Sequence, residues 1–311
     1  MNIMFMGTPE FSVSSLEALY ADDEFTVTSV VTGEDKPRGR GHKMTHTAVY
    51  ECAQKHGTRI YQPKNLKKEN FEEILLNENP DVIAVVAYGR ILPEYVLKYP
   101  KYGCVNVHSS LLPKYRGSAP MQWCVINGET ETGVTTMLMD KGIDTGDMLL
   151  KESIKIMPND TFETVHDKLA PIGAKLLVNT IKNLERGVQI REKQDAAAAT
   201  HAPMIDKTTA HIDWACSADD IRNLIRGLYP FPGAYTVYNG KIMKIEAAHT
   251  ETTESAAECG TILSGGGNKF SVKCADNTAL VVDRLRPEGK KSMDTDDFLR
   301  GNSLEVGSVL Q

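Results

Sequence analysis

Asn106 and His108 stand two positions apart at the end of an apolar run, in the stretch GCVNVHSSLLPKYRGSAP over residues 103–120. Side chains alternate between the two faces of a strand, so these two polar groups point the same way. An amide donor beside a titratable imidazole can stabilise the oxyanion that develops in an acyl-type transfer. The alternative is a hydrogen-bonded polar pair at a strand end that takes no part in chemistry.

A loop rich in glycine and aspartate supplies a third candidate. The stretch MDKGIDTGD, residues 139–147, contains Asp140, Asp144 and Asp147. It does not follow the residue order of a calcium-binding loop, and the closing glutamate of such a loop is missing. One carboxylate reaching His108 would fix the imidazole ring and favour its charged form. The sequence leaves open which of the three aspartates does so.

A basic loop precedes this region in the chain. The stretch EDKPRGRGHK, residues 34–43, carries four basic side chains: Lys36, Arg38, Arg40 and Lys43. A charge run is most often a solvated surface loop. Glycines on both sides of Arg40 also make it a flexible arm that can reach phosphates, if it lies near the carboxyl ends of strands. Both interpretations stay open from composition alone.

Strands and helices alternate through the first half of the chain. Apolar, β-branched runs predict strands at 2–6, 26–32, 59–63, 81–88 and 103–107, with helices at 10–21 and 45–57. The stretch DVIAVVAY at 81–88 is almost wholly apolar, as a central parallel strand covered on both faces should be. We therefore predict an α/β fold with a doubly wound, mostly parallel sheet, which binds ligands at the carboxyl ends of its strands.

The pattern changes in the second half. A long helix is predicted at about 161–186, the stretch 189–206 has no clear period, and a helix at 218–228 precedes several short strand-like segments. Short strands separated by Gly and Asn turns predict a small β-barrel. The predicted domains are a catalytic domain at 1–188, a linker at 189–206 and a second domain at 207–311.

Bulk composition excludes several classes of protein. The chain has 311 residues, 41% of them hydrophobic and 24% charged, with a formal net charge of −6. That charge argues against binding nucleic acid over the whole surface, but it permits a local basic patch. The six cysteines show no C-x-x-C spacing, which predicts neither a zinc site nor a disulfide framework. With no signal-peptide pattern and no heptads, we expect a cytoplasmic monomer.

The stretches NVHSSLLPKYRGSAP and GVTTMLMDKGIDTGDML together resemble the formyltransferases that use 10-formyltetrahydrofolate. MGTPEF, KPRGRGHK, AYGRILP, HIDW and RPEGKKSMDTDDFLRG extend the similarity over nearly the whole chain. The basic loop and the G-K-K-x-M segment favour the branch that formylates methionyl-tRNA. The resemblance implies a Rossmann-like formyltransferase domain followed by an OB-like β-barrel that helps to hold the tRNA.

The resemblance also implies roles for particular residues. The catalytic residues would be Asn106, His108 and Asp144. The folate would contact Ser110, Leu111, Leu112, Pro113, Gly89, Arg90, Ile91, Leu92 and Asp140. The tRNA would contact Lys36, Arg38, Arg40, Lys43, Lys290 and Lys291. The co-substrate would be 10-formyltetrahydrofolate, the acceptor initiator methionyl-tRNA, and the transfer would need no metal.

Two other functions fit parts of the pattern. A formyltransferase acting on a UDP-linked amino sugar would share the Asn-x-His and S-L-L-P motifs, but the basic loop and the G-K-K-x-M segment suit a polyanionic acceptor better. A catalytically inactive module that binds RNA or folate would belong to another class. The complete set of Asn106, His108 and Asp144 argues against it.

Overall fold

A computed structural model of the protein describes residues 1–38 and 43–311, and the chain divides into two compact units. The first unit comprises Met1–Pro120, Glu131–Ile154 and His166–Ala202, and the second comprises Met121–Thr130, Lys155–Val165 and Pro203–Gln311. Arg40 lies outside the described residues, as do the side chains of Arg38 and Lys43.

The strands of the first unit are numbered along the chain. They are β1 (Asn2–Gly7), β2 (Thr26–Val31), β3 (Lys36–Arg38), β4 (Lys43–Thr45), β5 (Arg59–Tyr61), β6 (Val82–Val86), β7 (Cys104–His108), β8 (Arg116–Gly117), β9 (Glu131–Leu138), β10 (Met148–Lys155) and β11 (His201–Ala202). Seven of them form one sheet in the order β10-β9-β7-β6-β1-β2-β5. Strands β5, β2, β1, β6 and β7 run parallel, and β9 is antiparallel to β7. This arrangement confirms the predicted α/β class.

The helices of this part of the chain are α1 (Phe11–Tyr20), α2 (Ala48–Lys55), α3 (Lys68–Glu78), α4 (Glu94–Leu97), α5 (Pro120–Ile126) and α6 (Phe162–Glu185). Helix α2 begins at a threonine cap, because the Thr47 hydroxyl accepts a hydrogen bond from the Tyr50 N–H at 3.0 Å. Helix α3 ends at Asn79, which adopts the left-handed conformation with a φ of 41°. Among the described residues, no helix is both long and apolar enough to cross a membrane.

The order of strands explains where a ligand should bind. Strand β1 lies between β2 and β6. The strands of this sheet that follow β1 in sequence, β2 and β5, lie on one side of it, and the later strands, β6, β7, β9 and β10, lie on the other side. Every residue of β6 and β7 is buried, as the apolar sequence of central strands requires. Sheets of this type bind ligands at the carboxyl ends of the strands where the order reverses.

The second unit contains a small antiparallel sheet. Its elements are α7 (Ala218–Leu228), β12 (Tyr235–Tyr238), β13 (Lys241–Thr252), β14 (Ile262–Gly266), β15 (Lys269–Lys273), β16 (Thr278–Pro287), β17 (Met293–Asp294) and α8 (Thr295–Leu299). The sheet order is β12-β13-β16-β15-β14, and β17 pairs with β16. Its core includes Trp214, Ile225 and Phe270. Helix α7 has the predicted bounds, and the predicted small β domain is confirmed as a curled antiparallel sheet.

Candidate active site

Asn106 and His108 lie on β7, at the carboxyl end of the last parallel strand on this side of the sheet. Both residues are buried, with exposed fractions of 9% and 5%. In the antiparallel register, Asn106 lies opposite Met137 and His108 lies opposite Thr135 of β9. The Asn106 amide makes no hydrogen bond to any other group in residues 1–38 and 43–311. A buried amide without a protein partner is available to a bound molecule.

The His108 ring is held between a backbone carbonyl and a carboxylate. Its Nε2 lies 2.9 Å from the carbonyl oxygen of Tyr115, and its Nδ1 lies 3.7 Å from Oδ2 of Asp144. A carbonyl oxygen can only accept, so Nε2 carries a hydrogen and donates it to Tyr115. The Nδ1 nitrogen is therefore the one that faces the carboxylate and any reacting group beside it.

Of the three aspartates in the 139–147 loop, Asp144 is the one that meets His108. Its Oδ2 also accepts a hydrogen bond from the Gly117 N–H at 2.8 Å. Its backbone is in the left-handed region, with a φ of 53°, which is uncommon for a residue with a side chain. Asp140 instead makes hydrogen bonds within the 139–147 loop. Its Oδ1 accepts one from the Gly142 N–H at 2.9 Å and one from the Thr145 hydroxyl at 2.6 Å.

Gln194 fixes this loop from a distant part of the chain. Its Nε2 donates to the carbonyl oxygens of Asp144 and Gly146, both at 2.8 Å, and its Oε1 accepts from Nε and Nη2 of Arg116 at 2.9 and 2.7 Å. Arg116 is 8% exposed and has no acidic partner among the described residues. Neither residue is identifiable as part of the site from the sequence, because the stretch around Gln194 has no period and Arg116 stands in a loop motif.

The S-L-L-P segment is shaped by its own polar groups. The Ser110 hydroxyl donates to the Lys114 carbonyl at 2.6 Å, and the Thr135 hydroxyl donates to the Ser110 carbonyl at 2.7 Å. Leu112 is buried against Met137 and Met148, and the Leu112–Pro113 peptide is cis. Of the four residues assigned to the folate in this segment, Leu111 and Pro113 are half-buried and Ser110 is fully buried.

The second proposed folate segment follows β6. Ile91 is 78% exposed, whereas Leu92 packs in the core of the first unit. Gly89 has a φ of 76°, and Arg90 donates through Nη1 to the Pro63 carbonyl at 2.7 Å. The Tyr88 hydroxyl is buried and has no hydrogen-bond partner among the described residues. A polar group of this kind at a strand end is available to a ligand.

An ion pair connects the start of α4 with the aspartate loop. Glu94 Oε1 lies 2.6 Å from Nζ of Lys98 and its Oε2 lies 2.9 Å from Nζ of Lys141. Hydrogen bonds from these two lysines lower the pKa of the Glu94 carboxyl to about 2. The carboxylate is therefore ionised throughout the neutral range, and it connects the 89–92 segment to the loop that carries Asp140 and Asp144.

A cavity of about 320 Å³ lies at the same edge of the sheet. It is lined by residues that follow β1, β2 and β6, including Thr8, Gly33, Lys36, Thr47 and Tyr88. Strand β1 lies two strands away from β7, which corresponds to roughly 10 Å. The cavity thus marks the point at which the strand order reverses.

The described basic residues assigned to tRNA lie in two separate segments. Lys36 is exposed on β3, which pairs with β4 in a short hairpin. Lys290 and Lys291 are exposed in the turn between β16 and β17 of the second unit. Within the part of the chain that the structure describes, neither Lys290 nor Lys291 pairs with a carboxylate.

Comparison with known proteins gives a consistent result over the whole chain. Residues 1–181 match the formyl transferase family, and residues 204–303 match the formyl transferase C-terminal domain. The chain is 49% identical over 312 residues to methionyl-tRNA formyltransferase of Caldanaerobacter subterraneus subsp. tengcongensis, with full coverage of both chains. It is 47% identical over 312 residues to the Clostridium novyi protein of the same name, again with full coverage of both chains.

Solved structures show the same fold at low sequence identity. An N-formyltransferase from Helicobacter canadensis, solved with folinic acid and dTDP-3-aminofucose, matches with a TM-score of 0.66 at 19% identity and covers 90% of this chain and 98% of its own. A methionyl-tRNA formyltransferase from Clostridium thermocellum matches with a TM-score of 0.56 at 20% identity, over 80% of this chain and 93% of its own. With two family domains in order and full-length relatives at 47–49% identity, the chain belongs to the formyl transferase family, and within it to the methionyl-tRNA formyltransferases.

Proposed function

We propose that this protein transfers the formyl group of 10-formyltetrahydrofolate to the α-amine of initiator methionyl-tRNA, giving N-formylmethionyl-tRNA for translation initiation. The observation that carries the proposal is the cluster of Asn106, His108 and Asp144 at the carboxyl end of β7. There a free amide, an oriented imidazole and a carboxylate 3.7 Å from that imidazole converge on one edge of the sheet. This set of groups suits the attack of an amine on an acyl carbon.

In the proposed reaction, the amine nitrogen attacks the formyl carbon and forms a new C–N bond. The Asn106 amide and the Nδ1–H of a protonated His108 donate hydrogen bonds to the oxygen of the tetrahedral intermediate. Asp144 accepts the proton released by the amine, directly or through a water molecule. The bond from the formyl carbon to the folate nitrogen then breaks, and that nitrogen takes up the proton that Asp144 had accepted. The step needs no covalent enzyme intermediate.

We propose that the folate lies between the two segments joined by the Glu94–Lys141 ion pair. The exposed Ile91 and the backbone around Gly89 would contact the pterin from one side, and the Asp140–Asp144 loop would contact it from the other. Leu111 and Pro113 would contact it directly, whereas Ser110 and Leu112 would act by shaping the loop. Ser110 is assigned this indirect role because its hydroxyl is already bonded to Lys114.

The tRNA would be held by basic residues of both units. Lys36, which lines the cavity, would meet the acceptor end of the tRNA, and Lys290 and Lys291 would contact phosphates from the second unit. The resemblance assigns Arg38, Arg40 and Lys43 to the same tRNA contact as Lys36. In this proposal, each domain expected from the sequence has its own role: residues 1–188 catalyse the transfer, residues 189–206 form a linker, and residues 207–311 bind the tRNA. We further propose that the protein acts as a monomer in the cytoplasm, where aminoacyl-tRNA is made and used.

The decisive experiment compares two acceptors with one labelled donor. Radiolabel transfer from 10-formyltetrahydrofolate would be measured to methionyl-tRNA and, in parallel, to a UDP-linked amino sugar. Label on the tRNA alone is the expected result. Label on the sugar alone would agree with the chemistry proposed for Asn106, His108 and Asp144, but it would contradict the proposal that methionyl-tRNA is the acceptor. Label on neither acceptor would overturn the proposal.

Replacing His108 with alanine tests the cluster itself. Loss of one oxyanion donor typically costs about 10²–10³ in rate, so we expect His108→Ala to lower kcat by at least that factor. Folate affinity should change little, because in the proposed reaction the ring donates to the formyl oxygen and does not contact the pterin. Single-turnover formylation and equilibrium folate binding measure the two quantities separately. Near-normal turnover in this variant would contradict the assignment.

A further inference from the structure

Three metal-binding side chains meet on two helices of the first unit. Glu17 lies on α1, Cys52 lies on α2, and His56 immediately follows α2. The Cys52 thiol donates to Oε1 of Glu17 at 3.2 Å, and Nε2 of His56 lies 2.9 Å from Oε2 of Glu17. One donor atom from each residue lies within 4.8 Å of the other two. Among the described residues, no other group of three His, Cys, Asp or Glu side chains is this close.

This cluster is separate from the proposed active site. The Tyr20 ring stacks on His56 with 3.9 Å between ring centroids, and its hydroxyl donates to the Thr58 hydroxyl at 2.7 Å. Thr58 immediately precedes β5, so the cluster lies at the amino-terminal edge of the parallel strands. His108 and Asp144 lie at the opposite, carboxyl-terminal edge. The formyl transfer proposed above uses none of these three side chains.

The donor set has the composition of a zinc site. Zinc takes four ligands in a tetrahedron, with bonds of about 2.3 Å to sulfur and 2.0–2.1 Å to imidazole nitrogen. Neighbouring donors around such an ion are therefore roughly 3.4–3.6 Å apart, which the present spacing reaches with small side-chain movements. A thiolate and an imidazole favour zinc over magnesium or calcium. The imidazole and carboxylate are partly exposed, which leaves a fourth position for water.

The state of the thiol argues against a reactive cysteine. Burial, followed by its hydrogen bond to Glu17, raises the pKa of Cys52 to about 12. A thiol held in this protonated form is a poor nucleophile. A metal ion would replace that proton, which would pass to solvent as the Cys52 sulfur becomes a ligand.

We propose that Glu17, Cys52 and His56 form a binding site for one zinc ion that joins α1 to α2. The carboxylate, the thiolate and Nε2 of the imidazole are its three protein ligands, and a water molecule is the fourth. The site stabilises the helix pair and takes no part in the reaction. It does not depend on the function proposed above.

The probe is cobalt(II), added to the full-length protein after stripping with a chelator. Cobalt occupies zinc sites, and a coordinated thiolate gives a charge-transfer absorption band that carboxylates and imidazoles do not give. We expect one equivalent of cobalt to produce this band, zinc to displace it, and zinc to raise the melting temperature. Cys52→Ser should abolish the band and the zinc-dependent melting shift, while Cys216→Ser, which alters an exposed cysteine of the second unit, should leave both unchanged.

Variants of the other two ligands test the geometry. Loss of an outer-shell partner already costs about 10–100-fold in metal affinity, so His56→Gln and Glu17→Gln should each weaken cobalt binding by at least about tenfold. The melting temperature of each variant without metal shows whether it is folded. Absence of a thiolate band in the wild-type protein would overturn the proposal. So would a band that persists in folded Cys52→Ser, or affinity unchanged in both folded Gln variants.

Discussion

At the residue scale, the candidate site depends on backbone contacts as much as on its three polar side chains. Tyr115 and Gly117, which flank Arg116, each hold one residue of the site through the backbone. The Tyr115 carbonyl accepts a hydrogen bond from His108, and the Gly117 N–H donates one to Asp144. The spacing of Asn106 and His108 on β7 predicts a shared face, because strand alternation is a local rule. Gln194 was not predictable, since its contacts join residues 50 and 78 positions apart.

Gln194 should act as a positioning residue. In Gln194→Ala, the carbonyls of Asp144 and Gly146 lose their donor, and the loop is free to move away from His108. A displacement of about 1 Å at a reacting group can cost about 10²-fold in rate. We expect kcat for formylation to fall between about tenfold and a hundredfold, with little change in the KM for tRNA. Steady-state kinetics with each substrate varied in turn measures this split.

A second substitution distinguishes the contact of Gln194 with Arg116 from its contacts with the loop carbonyls of Asp144 and Gly146. Gln194→Glu keeps an oxygen for Arg116 but places a carboxylate against two carbonyl oxygens, so the loop should be disturbed at least as much as in Gln194→Ala. Full activity in Gln194→Glu would mean that the Arg116 contact alone is sufficient. It would contradict the role assigned to the loop contacts.

At the scale of elements, the loop between β9 and β10 requires a glycine. A Cβ atom at Gly146 would lie 1.7 Å from the carbonyl oxygen of Leu138, which is a rigid backbone atom. Gly146→Ala must therefore displace the loop that carries Asp144, and we expect formylation to fall by more than about tenfold. Gly266→Ala is a matched control, because nothing lies within 4 Å of its added Cβ. Activity assays together with thermal melting separate a displaced loop from an unfolded protein.

The predictions of elements were most successful where the sequence pattern was strongest. Continuous β-branched runs identified β1, β2, β6 and β7, because central parallel strands are apolar on both faces. The β9–β10 pair was missed, since its threonines and charged residues were interpreted together with the aspartate loop. Helix α3 was missed as well: its stretch KENFEEILLNE is strongly charged, and tertiary packing of Phe71 and Leu75 stabilises it.

At the scale of the whole molecule, a protein with a net charge of −6 must bind a polyanion through localised contacts. Lys290 and Lys291 are exposed and unpaired within the described residues, so they are available to phosphates. Each lost phosphate contact should reduce the slope of log K against log salt by about 1. We expect Lys290→Ala/Lys291→Ala to weaken tRNA binding and lower this slope by about 2, without affecting folate binding.

Filter binding at several salt concentrations measures this slope. Lys207→Ala is the control, because Lys207 is also an exposed lysine of the second unit and lies outside the G-K-K-x-M segment. An unchanged slope in the double variant would exclude these two lysines from the tRNA contact. The domain order and the small β domain were predictable from the change in sequence pattern, but the basic residues that contact tRNA were not, because net charge does not locate a patch.

The pairing of β8 with β11 has a mechanical consequence. Strand β11 ends at Ala202, where the chain leaves the first unit for the last time, and it pairs with β8. The Tyr115 carbonyl that accepts from His108 immediately precedes β8, and the Gly117 N–H that donates to Asp144 belongs to it. Tension on the chain beyond Ala202 would be transmitted first to β8, through hydrogen bonds such as that from the Arg116 N–H to the Thr200 carbonyl at 2.9 Å. The strand that leads to the second unit, β11, is thus the hydrogen-bonded neighbour of the strand that supports the catalytic pair, β8, so strain in one would be transmitted to the other.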